Sequence, residues 1–256
     1  MSQSYLHIIQ NYYPKANYSE LLGRELIAYF KKMGFDPEEV MTANSICSDD
    51  INSMQFPHSV KHLLGPFNLG GLDGFPFTGI TGVKAFAHHM PKDGALLIFY
   101  APHIGISIHD HPEGVPGKVM RKGQDHNSDC CGAAKEAINR IERMITQYPE
   151  ITELDYQEDS IERIFYEHKE QILSAKYPII AATEVMYYAI RKRIDLIIEK
   201  TIAEFKGKLL VLVGGIFINV DFGAQSCAEY KNLEEIDLKT KIRKDHLNDF
   251  MTFLKK

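Results

Sequence analysis

Cysteine is scarce in this chain of 256 residues: only Cys47, Cys130, Cys131 and Cys227 occur. Four are too few for a disulfide scaffold, and they point to a reducing compartment, the cytoplasm. No basic excess exists either. The net charge is −5, and the short runs Lys31-Lys32, Arg191-Lys192-Arg193 and Lys255-Lys256 alternate with acids, which argues against nucleic acid as a partner. Long apolar runs are missing too. The run around Leu209–Val213 falls far below the ~20 residues a membrane span needs. Met1-Ser2-Gln3-Ser4-Tyr5 carries no basic, then apolar, leader, so neither a secretory signal nor a transit peptide is expected. There is no repeat and no low-complexity tract.

What is present is an ordinary globular composition, with 45% hydrophobic and 25% charged residues. A chain of this length buries roughly 70–75% of its unfolded surface, so it needs no metal merely to fold. The first helix is expected from Tyr18 to about Met33 and ends at Gly34. Asp36–Val40 reads as a short capped helix start, and Ala43–Cys47 as a strand. The glycine-rich stretch Gly65–Gly82, with Pro66 and Pro76, reads as a shaped loop, followed by a short helix over Gly82–Met90. Ala95–Tyr100 is a continuous apolar run between Gly94 and Pro102, the pattern of a buried parallel strand. Ile104–Asp129 reads as irregular, with a hairpin near Gly117–Val119. Helices are expected from Cys131 to about Tyr148, over Gln157–Ala175 and over Glu184–Phe205. Two strands follow, Lys208–Val213 and Ile216–Val220, interrupted by Gly214-Gly215. Strands alternating with helices predict an α/β fold with a mainly parallel central sheet flanked by helices. No composition shift marks a boundary, so one domain is expected over 1–256, with helical N- and C-terminal extensions.

In this layout Cys47 closes one strand, His103 stands just past another, and Cys131 opens a helix. Ligands of open α/β sheets bind outside the carboxyl ends of the strands. Two thiolates and an imidazole suit zinc, and three protein ligands leave a fourth position for water. A helix N-terminus lowers the pKa of Cys131. Taken singly, each residue has a plainer reading: a small buried hydrophobe, a turn histidine, an accidental Cys130-Cys131 pair. His109-Asp110-His111, His88-His89 and the pair His58 and His62 are rival ligand sets, for which solvated or capping roles fit better. Asp49 serves equally as the cap of a following helix, as a carboxylate beside the metal, or as a direct ligand.

Several blocks together carry a family resemblance: Cys47-Ser48-Asp49-Asp50-Ile51-Asn52, Phe67-Asn68-Leu69-Gly70-Gly71-Leu72, Gly74-Phe75-Pro76-Phe77-Thr78-Gly79, Phe86-Ala87-His88-His89, Pro102-His103-Ile104-Gly105, Cys131-Gly132-Ala133-Ala134 and Gly214-Gly215-Ile216-Phe217-Ile218-Asn219. In order and number they resemble the limiting-CO2-inducible protein family of algae and its bacterial relatives, which is similar to β-type carbonic anhydrases. The resemblance implies a β-carbonic anhydrase-like fold and a zinc ion held by Cys47, His103 and Cys131. Cys131 is favoured over Cys130 because Cys-Gly at a helix start is the β-type pattern. It also implies Asp49 next to the metal and a homodimer with the site near its interface. Two departures stand out. The β-type arginine two residues after the aspartate is Ile51 here, and His103 and Cys131 are far apart in sequence. An arginine that holds Asp49 must come from elsewhere, and Arg121 is the choice made here.

The activity so implied is reversible hydration of CO2 to bicarbonate, a zinc lyase reaction. Leu72, Phe75 and Phe77 are candidate apolar walls, and His88, His109 or His126 candidate proton carriers. The rivals are a catalytically silent CO2 or bicarbonate sensor or assembly protein of the same fold, a hydrolase of CS2 or COS, and a protein without metal. Two thiolates cancel the formal charge of zinc, so its water should be less acidic than in a three-histidine site. The hydration rate is therefore expected to rise into the alkaline range; a pH–rate profile flat from mildly acidic pH upward would contradict this.

Overall fold

A computed structural model describes residues 2–109, 111–143 and 148–254. In chain order the elements are α1 (Ser2–Gln10), β1 (Asn17–Tyr18), α2 (Ser19–Lys32), β2 (Val40–Ser45), α3 (Asp50–Gln55), β3 (Leu64–Asn68), α4 (Gly79–His88), β4 (Ala95–Tyr100), β5 (His103–Ser107), β6 (Val115–Pro116), β7 (Lys118–Val119) and β8 (Ser128–Asp129). The second half adds α5 (Gly132–Arg143), α6 (Tyr156–Tyr166), α7 (Lys169–Leu173), α8 (Pro178–Thr201), β9 (Leu209–Val220), β10 (Cys227–Asp237), β11 (Arg243–Asp245) and α9 (Leu247–Phe253).

The central sheet runs β1-β10-β9-β4-β2-β3, with β11 on β10 and with β5 and β6 continuing beside β9. Its middle is parallel: β3 with β2, β2 with β4, and β4 and β5 with β9. Antiparallel β10 extends it on one side. Helices cover both faces. Leu22, Leu26 and Phe30 of α2 and Phe250 of α9 pack against Leu97, Val211 and Val213. Phe86 of α4, Ile138 of α5, Phe165 of α6 and Ile194 of α8 pack against Leu96, Ile98 and Leu212. Burial on both faces is why β4 and the first half of β9 read as unbroken apolar runs.

Several boundaries differ from the sequence expectation for identifiable reasons. The strand expected over Ala43–Cys47 occupies Val40–Ser45, which leaves Cys47 just beyond its carboxyl end. His103 does not merely follow a strand; it begins β5, part of the stretch read as irregular. Its pairing runs from His103 against Phe217 to Ile106 against Val220. The small residues Gly105 and Ser107 hide this strand from an apolar count. The two segments expected around Gly214-Gly215 form the single strand β9, which takes β4 along its first half and β5 along its second. The glycine pair lies flush against neighbours: a Cβ on Gly214 would meet the Tyr100 ring, and one on Gly215 the carbonyl of Glu229.

The loop expected over Gly65–Gly82 begins within β3 and ends in α4, which starts at Gly79. Gln157–Ala175 divides into α6 and α7, and α8 starts early because Pro178 suits a first helical position. The described part of α5 ends at Arg143; the expected continuation through 144–147 lies outside the described residues, as does Asp110. Between the core and α9, the C-terminal extension read as helical holds β10 and β11 instead. Among the described residues, no helix is long and apolar enough to cross a membrane.

The segment after β3 sets the position of Cys47. Leu69 N–H donates to Asn44 O at 2.8 Å, and Ser48 N–H to Gly71 O at 3.2 Å. Gly70 lies so close to this turn that a Cβ would fall 2.7 Å from the Ile46 nitrogen. Gly70→Ala should therefore lower stability by about 1–3 kcal/mol through overpacking. A urea midpoint equal to wild type would contradict this contact.

Candidate metal centre

Three chain segments converge at the carboxyl ends of β2 and β4. The turn after β2 brings Cys47, the start of β5 brings His103, and the residue before α5 brings Cys131. All three are buried, and their ligand atoms lie within 4.8 Å of one another. The Cys47 and Cys131 sulfurs are 4.0 Å apart. Two sulfurs at 2.3 Å from one tetrahedral zinc would be separated by about 3.8 Å, so the spacing fits such an ion. His103 supplies the third direction. Its Nδ1 lies 2.7 Å from Asn219 Oδ1, an oxygen that only accepts, so Nδ1 carries the proton. Its Nε2 is buried and has no hydrogen-bond partner, which is the state of an imidazole ready to ligate.

Burial and mutual contact move each of these groups from its ordinary pKa. The hydrogen bond with Cys131 brings Cys47 down to about 4 against the cost of burial, with His103 helping. The same hydrogen bond and burial push Cys131 well above the ordinary thiol range. Burial disfavours a charged His103, but the sulfurs of Cys130 and Cys47 outweigh it and drive its pKa well up.

Cys130 occupies a different place. Its sulfur lies 3.6 Å from His103 Nδ1, on the Asn219 side of the ring, not with Cys47 and Cys131. Asp49, His103 and Cys130 form a second group with ligand atoms within 4.8 Å. Among the described residues, His58, His62, His88, His89, His109, His111 and His126 enter neither group.

Asp49 holds one of the roles read for it from the sequence. It caps α3, accepting from Ile51 N–H at 3.2 Å. It also receives both ends of a guanidinium: Arg121 Nη1 donates to Oδ1 at 2.7 Å and Nη2 to Oδ2 at 2.8 Å. Nη1 further reaches Asp50 at 2.7 Å, and Nε reaches Ser128 Oγ at 3.3 Å. Burial alone would raise the Asp49 carboxyl; the hydrogen bonds from Arg121, the nearby His103 and the Ile51 amide overcome it and hold it at about 2. Asp49 is thus an ionised acceptor at neutral pH, and the carboxylate pushes Arg121 further up from its already high value. The chain that carries Arg121 is itself anchored, because Met120 N–H donates to Asp221 Oδ1 at 2.8 Å. Asp221 also accepts from Tyr5 and Ile108.

Cys130 forms a small buried apolar cluster with Ile51 and Val119. Phe75 and Phe77, expected as walls, lie 5.0 Å apart with their rings tilted at 58°, with Arg193 over Phe75 and Tyr156 against Phe77. Sequence reasoning gave no role to Asn219, although its Nδ2 also donates to Gln55 Oε1 at 3.2 Å and so fixes the amide that orients His103. The only sequence signal was its place at the end of the Gly214–Asn219 block.

Comparison with known proteins follows the same lines. Over residues 20–240 the chain matches the family model of limiting CO2-inducible proteins B/C beta carbonic anhydrases. Among solved structures it is similar to PtLCIB4, a homolog of the limiting CO2-inducible protein LCIB, with 24% identity, a TM-score of 0.83, and 94% of this chain and 98% of that chain covered. A mutant of PtLCIB4 superposes with 25% identity, a TM-score of 0.82 and coverage of 94% and 97%. LCIB itself gives 16% identity, a TM-score of 0.67 and coverage of 92% and 95%. Comparison with curated proteins returns no match. With most of its length matched by the family model and its fold shared with LCIB structures, the chain belongs to the limiting CO2-inducible protein family, related to the β-carbonic anhydrases.

Proposed function

We propose that the protein catalyses the reversible hydration of CO2 to bicarbonate at a zinc ion held by Cys47, His103 and Cys131. The observation that carries this reading is the two-pronged grip of Arg121 on Asp49. Both carboxylate oxygens are engaged by the guanidinium, an arrangement that would hold Asp49 back from ligating a metal and would leave room there for water. A silent sensor with the same fold would be expected to bind Asp49 to the metal instead.

When bound, zinc supplies Lewis-acid activation of water at neutral pH. The rest falls to the chain. Asn219 holds the His103 ring with Nε2 toward the two sulfurs. Arg121 keeps Asp49 ionised and fixes its direction. Asp49 accepts the hydrogen bond of the reacting water, which aims the oxygen lone pair at the carbon of CO2. Ile51, Val119 and Cys130 offer an apolar surface beside Asp49 where a small neutral molecule is desolvated. Addition of water gives bicarbonate and one proton, which passes to solvent. A second copy of the chain is the proposed partner, in line with the family, and the cytoplasm the proposed setting.

Stopped-flow CO2 hydration with zinc-loaded protein tests the reading. Asp49→Asn and Arg121→Ala should each lower kcat/KM by about 10²–10⁴-fold with zinc content unchanged. Wild-type rates in Asp49→Asn, or no hydration by zinc-loaded wild type, would contradict it, and the second result would favour the silent sensor. Elemental analysis separates the ligands. Cys47→Ala, His103→Ala and Cys131→Ala should each sharply reduce zinc retention, while Cys130→Ala should keep it. Loss of zinc from Cys130→Ala alone would exchange the two sulfurs in this account.

A further inference from the structure

Asp73 combines three features that ordinary packing does not reward. Its side chain is fully buried, at 0% exposure, and neither carboxyl oxygen has a hydrogen-bond partner. Its backbone is left-handed, with φ 48° and ψ 25°, a conformation that costs a non-glycine residue roughly 1–2 kcal/mol. And its N–H donates to the Cys47 sulfur at 3.1 Å. A hydrophobic residue would suit the burial better, and glycine the backbone.

The surroundings force the N–H into place. Leu72 N–H is tied to Gln157 Oε1 at 2.9 Å, and Gly74 O accepts from Ser45 Oγ at 2.8 Å. Between these two anchors the left-handed turn at Asp73 decides where the amide points. The carboxyl faces Cys47, His103 and Cys131.

Resting on the metal reading above, we propose that Asp73 is a positioning residue of that centre, its left-handed turn holding the amide on Cys47 and its side chain backing the ligand cluster. A hydrogen bond to a sulfur ligand fixes the direction of its lone pairs and of the thiolate charge, the task that outer-shell groups perform for ligating histidines. Asp73 acts through Cys47, whose sulfur its N–H reaches.

Substitutions at this single position separate turn from side chain. Asparagine keeps the shape and tolerates the left-handed backbone; glycine keeps only the backbone; alanine keeps neither. Zinc affinity is measured by competition with a chromophoric chelator, and the thiolate-to-metal charge-transfer band is recorded after cobalt(II) substitution. Asp73→Asn should bind zinc within about threefold of wild type, Asp73→Ala about 10–100-fold more weakly with an altered cobalt band, and Asp73→Gly between them. Wild-type affinity in Asp73→Ala would overturn the proposal. So would Asp73→Asn or Asp73→Gly falling as far as Asp73→Ala, since the turn would then not be what matters. If Asp73→Ala does not fold, the cobalt band of Asp73→Gly decides: a band near wild type supports the turn, and a lost band refutes it. Wild-type protein that takes up no zinc would refute the metal reading itself; zinc-binding wild type with an indifferent Asp73→Ala refutes only this proposal.

Discussion

The structure depends on gathering two sulfurs and an imidazole in one small space sealed from water. Desolvation penalises their ionised forms, and a cation between them would offset that cost. Cys47, His103 and Cys131 are 5%, 1% and 1% exposed, and the neighbouring Asp49 brings its own cation in Arg121. The rest of the architecture can be understood as the means of holding that concentration of donors together. The β2 turn, the β5 start and the α5 start each deliver one donor, and none of the three is near another in sequence.

The sheet makes this convergence possible. β4 stops at Tyr100, and after Pro102 the chain re-enters the sheet as β5 alongside the far half of β9. That step places His103 beside the end of β2, where Cys47 emerges. The long β9 serves both segments and contributes Asn219 near its end, so the strand that organises the core also orients the imidazole. On the other side, Asp221 gathers Tyr5, Ile108, His109 and Met120. Through Met120 it secures the adjacent Arg121.

Much of this was legible in the sequence, and the limits were physical. Ala95–Tyr100 matched its strand because burial on both faces leaves an unmistakable apolar run. β5 escaped because glycine and serine among its residues break that run, although all five are buried. Gly214-Gly215 suggested a break where the strand is continuous, since glycine there serves close approach and not a turn. Of the candidate residues, Cys47, His103 and Cys131 form one cluster, and Asp49, held by Arg121, lies with His103 and Cys130 in a second. The Asp49–Arg121 pairing spans 72 residues, so no local pattern announces it. The roles of Asn219 and Asp73 depend on a ring tautomer and a backbone angle, neither of which is written in residue spacing. The metal assignment itself rests on donor chemistry and family membership.

Zinc K-edge X-ray absorption, on protein purified without chelator, tests the central claim most directly. The account predicts about two sulfurs near 2.3 Å and about two nitrogen or oxygen neighbours near 2.0–2.1 Å for each metal ion. A shell with fewer than two sulfurs, or protein that retains no zinc, would contradict it.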